Sequence, residues 1–230
     1  MKAKIVRLID ALSEKFILNQ HFRLAQNIKL ELVKRANQST VDYVEKAMRN
    51  VTSVDSKWKV HEEAIKHVSL EGLYLEFGVF KGNTINYVSE RIDSVIYGFD
   101  SFEGLPEFWR DGFDKGTFAI DGLPKVRKNV KLVKGLFDQT LPQFLQDHPT
   151  VPVAYLHIDC DLYSSTKTVF ELLKDRIKKG TVIVFDEYFN FPGWEQDEFR
   201  AFHEFLSETG LKYEYITYNF LHEQVAVKIV

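Results

Sequence analysis

The chain is short of cysteine. Cys160 is the single thiol among 230 residues, so no internal disulfide can form, and a reducing, cytoplasmic compartment is the expectation. Long apolar runs are also missing, which argues against a membrane span. Neither sign of charge is in excess: Lys+Arg 30 against Asp+Glu 33 leaves a net charge of −3. That balance gives no electrostatic basis for nucleic acid or an anionic membrane as partner. The opening residues Met1-Lys2-Ala3-Lys4 are basic, but Asp10, Glu14 and Lys15 break the apolar stretch behind them. No secretory signal is expected there. No internal repeat, low-complexity tract or Pro/Gly-rich linker divides the chain.

What is present is a set of short apolar runs that each end in an acid. They are Leu73-Tyr74-Leu75-Glu76, Val95 to Asp100, Val153 to Asp159, and Val182 to Asp186-Glu187. Continuous runs of this length, rich in Val, Ile and Tyr, read as strands buried on both faces. An ionised carboxylate is too costly inside such a strand without a partner, but it can sit where the strand leaves the core. In an open parallel sheet that edge is where ligands bind.

The pattern changes near residue 70. Before it, Ile5, Leu8, Ile9 and Leu12 recur at helical spacing, and Ser39-Thr40-Val41-Asp42 reads as the start of a capped helix. Residues 1–70 are expected to form a helical extension, packed on the main domain or on a second copy as a homodimer. Residues 71–230 alternate strand and helix. Strands are predicted at 73–77, 95–100, 131–135, 152–159 and 181–186, with helices near 83–92, 139–147, 165–178 and 195–207. The last runs, 212–218 and 224–230, are too close to pair other than antiparallel. The result is a doubly wound α/β sheet closed by an antiparallel hairpin.

Glu76-Phe77-Gly78-Val79-Phe80-Lys81-Gly82-Asn83-Thr84 joins the first strand to its helix. Glycines there let backbone amides approach a ligand, as in many tight turns. The spacing is not G-x-G-x-x-G, and an acid before the first glycine repels phosphate but attracts ammonium. Asp100 ends the next strand at the distance expected of a ribose-binding acid. Ammonium and ribose recognition without phosphate recognition point to S-adenosylmethionine (SAM) rather than NAD.

These residues resemble a known family. Glu76 to Gly82 and Gly98-Phe99-Asp100-Ser101-Phe102-Glu103-Gly104-Leu105-Pro106 are similar to the macrocin O-methyltransferase (TylF-type) family of class I SAM methyltransferases. The likeness continues through Val133 to Pro142, Leu156 to Thr166 and Gly180 to Tyr188. It implies a seven-stranded, mostly parallel Rossmann-like sheet with an antiparallel last strand. It implies SAM as donor, a hydroxyl acceptor on a small molecule, typically a natural-product sugar, and Mg²⁺. Within these motifs the donor candidates are Glu76, Phe77, Gly78, Lys81, Asn83, Thr84, Asp100, Ser101, Gly135, Phe137 and Asp159.

Asp159, Asp161, Asp186 and Glu187 end two strands expected to be neighbours. Hard carboxylate oxygens suit Mg²⁺ or Ca²⁺. The family pattern maps the metal ligands onto Asp159, Asp186 and Glu187, with Asp161 as an alternative. The pair is Asp-Glu here where relatives commonly have Asp-Asp, so a metal-free enzyme stays open. Asp159, Asp161 or His157 could remove the acceptor proton, although a histidine inside a strand also reads as a core residue. Residues 101–129, with Phe102, Phe108, Trp109, Phe113 and Phe118 between glycines, read as a lid or as a loop whose rings plug the core. Tyr163, Tyr188, Phe189 and Trp194 are the acceptor candidates. Two other readings stand beside the methyltransferase: an NAD-type oxidoreductase, and a non-catalytic SAM-fold interaction protein.

Overall fold

The computed structural model describes residues 2–230, the side chains of 2–8, 10 and 11 excepted, so Ile5 and Leu8 of the first helical pattern lie outside the described side chains. Two long helices come first, α1 (Lys2–Ala25) and α2 (Ile28–Ala47). Asn27 caps α2 by accepting from the Leu30 amide at 3.1 Å. A three-residue strand, β1 (Thr52–Val54), and α3 (Lys57–His67) follow. The alternating part is β2 (Leu73–Phe77), α4 (Asn83–Ser89), β3 (Ile96–Asp100), β4 (Val130–Lys134), α5 (Phe137–Asp147), β5 (Val153–Ile158), α6 (Tyr163–Leu173), β6 (Val182–Phe185), α7 (Glu198–Thr209), β7 (Tyr213–Asn219) and β8 (Val225–Ile229). Among the described residues no helix is long and apolar enough to cross a membrane.

The sheet has eight strands in the order β1-β7-β8-β6-β5-β2-β3-β4. Only β8 runs against the rest, pairing antiparallel with both β6 and β7. The expected seven strands are corrected by β1, which pairs parallel with β7 through Thr52↔Thr217. Its sequence, Thr-Ser-Val, is too short and too exposed to carry an alternation signal. The adjoining α3 buries Val60, His61 and Ala64. Residues 52–67 therefore build onto the sheet.

The central strands are apolar because both faces are covered. All six residues of β5 and all four of β6 are buried. The strand order reverses between β2 and β5, so a crevice opens outside their carboxyl ends. At that point Gly78 has φ +92°, and a Cβ there would sit 1.6 Å from the Asp159 carbonyl oxygen. Glycine lets the two strand ends approach this closely.

Candidate active site

A cavity of about 600 Å³ fills the crevice, within the usual range for a small-molecule site. One wall is the β2–α4 turn with Gly78, Lys81, Asn83 and Thr84. Asp100, Ser101, Gly135 and Phe137 close that end, and Asp159, Asp161, Asp186 and Glu187 form the other. Trp109, Arg110, Phe113 and Phe118 come over it from residues 101–129. Seven acids line the cavity (Asp100, Asp138, Asp159, Asp161, Asp186, Glu187, Glu223) against three cations, Lys57, Lys81 and Arg110. That balance favours a cationic ligand.

Asp100 has a definite task. Its Oδ2 accepts the Val79 and Phe80 amides, each at 2.8 Å, and its Oδ1 accepts the Phe102 amide at 2.7 Å. The carboxylate thus braces two loops that carry the left-handed residues Phe80 (φ 49°) and Phe102 (φ 58°). It still faces the cavity.

Two donor candidates do not reach the cavity. Glu76 is fully buried, with Oε2 3.0 Å from His157 Nδ1. It stands one residue before the end of β2, in register with His157 on β5. Phe77 is also fully buried and stacks on Phe99 at 4.8 Å. His157, a candidate base, shares the interior of the sheet and lines no part of the cavity.

The acids divide differently from the sequence pattern. One oxygen each from Asp159, Asp161 and Glu187 lie within 4.8 Å of one another, whereas Asp186 groups with His61 and His157. Burial raises the carboxyls of Asp159 and Glu187 well above their usual range, and repulsion from Asp186 adds to it. Asp161 is pushed up to about 7, by burial first and then by Asp186. Asp161 also adopts φ 64°, a backbone region that costs a non-glycine residue about 1–3 kcal/mol. Burial lowers the Lys57 ammonium, but Asp186, Asp159 and Glu187 outweigh it and its pKa ends above normal. Behind the acids, Oε2 of the fully buried Glu198 accepts the Glu187 amide at 3.3 Å.

The acceptor candidates lie elsewhere. Tyr163 donates to Glu204 at 2.6 Å on the α7 side. Tyr188 and Phe189 are core residues, with the Tyr188 hydroxyl 2.8 Å from that of Tyr215. Trp194 is buried and its Nε1 donates to Ser39 of α2 at 3.0 Å. The turn after β6 bends toward α2, where Tyr188 and Trp194 pack on Tyr43. Lys57, Arg110, His222 and Glu223 line the cavity without having been singled out as ligands. Lys57 and His222 carried no motif. Arg110 stood inside the aromatic segment, stacking on Trp109 at 3.9 Å and on Phe191 at 4.5 Å.

Residues 75–188 match a family whose description is "Methyltransferase domain". A tetracenomycin-type 4'-O-methyltransferase of Streptomyces olivaceus, acting on a dimethoxy-rhamnosyl compound by its name, is 28% identical over 152 residues, 55% of this chain and 56% of its own. Demethyldecarbamoylnovobiocin O-methyltransferase of Streptomyces niveus is 27% identical, over 58% of this chain and 60% of its own. The chain spans little more than half the length of these curated relatives. Among solved structures, the calicheamicin methyltransferase CalS11 superposes with a TM-score of 0.62 at 22% identity, covering 74% of this chain and 77% of its own. The O-methyltransferase NovP gives 0.54 at 20% identity, covering 74% and 76%. The fold is the Rossmann-like methyltransferase fold.

Proposed function

We propose that this chain, built on a methyltransferase fold, is a SAM-dependent O-methyltransferase that methylates a hydroxyl of a small molecule with help from a divalent cation. The observation that carries the reading is one cavity with an amide-rich glycine turn at one end and an acid cluster at the other. The sulfonium and ammonium of SAM suit the acidic lining. A pyrophosphate would meet the same seven acids, which speaks against a dinucleotide oxidoreductase. The rhamnosyl group in the name of one curated relative supports a glycosylated natural product as the acceptor class, and the TylF-type motifs agree with that finer assignment.

Gly78, Lys81, Asn83 and Thr84 would hold the methionine part, with Asp159 in reach of its ammonium in place of the buried Glu76. Asp100 and Ser101 face the ribose end, and Gly135 and Phe137 the base. Asp159, Asp161 and Glu187 fit a hard cation: the donors are all oxygen, Asp161 and Glu187 are buried with the half-buried Asp159 beside them, and all three carboxyls have raised pKa values. Bound there, Mg²⁺ would lower the pKa of an acceptor hydroxyl. In the transfer the acceptor oxygen forms a bond to the methyl carbon as the carbon–sulfur bond breaks, leaving S-adenosylhomocysteine. The hydroxyl proton passes to a carboxylate. Asp161 is the base of choice where it stays off the cation: it lines the cavity beside Asp159, and burial with Asp186 pushes its carboxyl up to about 7. Trp109, Phe113 and Phe118 exclude water above the reacting atoms.

Residues 71–230 would be the catalytic domain, with the extension completing it through β1 and α3. Apolar side chains such as Phe16, Ile17 and Phe22 stand exposed on α1, which supports pairing of two copies. Calorimetric titration with SAM in the presence of Mg²⁺ tests the reading. Binding near one equivalent is expected, and the absence of any heat with SAM sinks the methyltransferase assignment. Binding without turnover of any hydroxylated acceptor would favour the non-catalytic alternative.

A further inference from the structure

Arg110 and Glu223 meet at the acid end of the cavity. Arg110 Nη2 donates to Glu223 Oε2 at 3.4 Å, and both residues line the cavity. The pair lies beside Asp161: after burial and Asp186, the Arg110 charge draws that carboxyl down and the Glu223 charge pushes it up. The two come from separate parts of the chain, each tied down. Trp109 and Phe113 close a tight turn around Arg110, the Trp109 amide donating to the Phe113 carbonyl at 3.1 Å and the Phe113 amide to the Arg110 carbonyl at 2.8 Å. Trp109 Nε1 donates to Asp197 at 3.2 Å. The guanidinium lies 3.9 Å from the Trp109 ring centre and 4.5 Å from that of Phe191. Stacking covers its faces and leaves the N–H groups of its edge to bond. Among the described residues Glu223 is the only hydrogen-bond partner of that side chain. The Glu223 carbonyl accepts the Tyr188 amide at 3.0 Å.

The same turn between β7 and β8 brings His222 to the cavity with its tautomer assigned. The Leu221 amide donates to Asn219 Oδ1 at 3.0 Å, Asn219 Nδ2 donates to Gln224 Oε1 at 2.8 Å, and Gln224 Nε2 lies 3.1 Å from His222 Nδ1. A backbone N–H can only donate, so it fixes the direction of every bond in this chain. His222 Nδ1 therefore accepts, and the neutral ring carries its proton on Nε2. Asn219 and Gln224 are buried. The corner thus offers two donors, Arg110 and His222 Nε2, and one acceptor, Glu223, with no net charge on the ion pair.

We propose that Arg110, Glu223 and His222 orient the acceptor beside Asp161, and that they select an uncharged molecule with adjacent hydroxyls over an anionic one. The inference rests on the methyl-transfer reading of the cavity. A hydroxyl both donates and accepts. One can donate to Glu223 while its neighbour accepts from Arg110 or His222, which turns the ring and presents one oxygen to Asp161. An anion would find the Arg110 charge already matched by Glu223, with the carboxyls of Asp159, Asp161, Asp186 and Glu187 behind it. Glu223 is then a selectivity residue by charge, and Arg110 by its fork of donors.

The test is saturation-transfer NMR on the full chain loaded with S-adenosylhomocysteine and Mg²⁺, using a panel of methyl pyranosides and the matching uronates as probes. A neutral glycoside should bind, and its uronate at least about tenfold more weakly. Arg110→Gln should weaken the neutral glycoside on the order of 10–100-fold, and His222→Phe roughly 2–10-fold. Affinity for S-adenosylhomocysteine should hold in both. Glu223→Gln should cut the preference for the neutral probe by about tenfold or reverse it, because Arg110 loses its counter-charge. A loss of packing alone would not shift selectivity by charge. If Glu223→Gln fails to fold, Arg110→Lys decides: it keeps the charge but not the fork, so neutral binding should fall while the penalty on the uronate stays. Equal binding of neutral and anionic probes, or a preference that ignores both variants, overturns the proposal. So does the absence of any glycoside binding in protein that holds S-adenosylhomocysteine, which leaves the methyltransferase reading standing. Failure to bind S-adenosylhomocysteine itself removes that reading, and the proposal with it.

Discussion

Glu76 Oε2 and His157 Nδ1 face each other at 3.0 Å inside the sheet, both side chains fully buried. This contact explains why an acid can occupy the body of a central strand: its charge has a hydrogen-bond partner on the neighbouring strand. Burial nonetheless raises the Glu76 carboxyl above its usual range, with His157 opposing the shift. The pairing withdraws Glu76 from the ligand and leaves recognition to the turn that follows. Gly78 and Asp159, one step nearer the edge, take the exposed positions.

Gly78 should therefore be intolerant of a side chain. A Cβ there meets the Asp159 carbonyl, and φ +92° is unfavourable for any other residue. Gly78→Ala should cost at least about 1–3 kcal/mol from the backbone alone, roughly 2–12 °C in melting temperature for a chain of this size. SAM binding should be lost with it. Thermal melts and calorimetry check both, and an unchanged melt would show that the strand ends separate without cost.

Asp161→Asn should lower kcat by about 10²–10⁴-fold, the range for loss of a general base. SAM affinity should hold, because the donor end of the cavity is untouched. In the parent enzyme kcat should rise with pH as Asp161 loses its proton, with a midpoint at or below the value of about 7 to which burial and Asp186 push it. A cation beside the carboxylate moves that midpoint down. A kcat within a factor of a few of the parent moves the base elsewhere, to Asp159 first.

The central strands and the binding edge were legible in the sequence because buried parallel strands are continuous apolar runs, and β5 and β6 are buried throughout. β1 was not, since three exposed residues carry no period. Asp100, Asp159 and Asp161 were legible as cavity acids because they stand at strand ends. Orientation was not: Glu76 and His157 belong to runs of the right kind, but register turns them toward each other. Tyr188 and Trp194 follow the acidic pair directly, yet Gly193 at φ 88° and Asn190 at φ 69° turn that loop toward α2. Lys57 comes from a helix distant in sequence, and nothing local marks it.

The aromatic turn after β6 supplies a test of that correction. Trp194 packs on Tyr43 and Phe199, at 5.6 Å and 4.8 Å between ring centres. Trp194→Ala should destabilise the fold by about 3–5 kcal/mol. The acceptor KM should not move at temperatures where the variant is folded. A raised KM with an unchanged melt would return Trp194 to the acceptor site.

The acid cluster makes the pH dependence of stability unusual in sign. Burial, then neighbouring carboxylates, raise Asp159, Asp161, Glu187 and Glu198 above their unfolded values. The native state then binds more protons than the unfolded one, so stability falls as pH rises. For Asp161 the window runs from its ordinary 3.8 up to about 7. Paired carboxylates in most proteins do the reverse and lose stability on acidification. In EDTA, melting temperature should therefore decline between about pH 4 and 7. Mg²⁺ should flatten the decline, because a cation that binds only the deprotonated native cluster adds stability by mass action where protons are leaving. Glu187→Gln should reduce both the slope and the Mg²⁺ effect, since it removes one of the competing charges and one ligand. A melting temperature that rises across this window in EDTA, or that ignores Mg²⁺ at neutral pH, would mean that the carboxylates satisfy one another without a cation. The hydroxyl acceptor would then have to be activated by Asp161 alone.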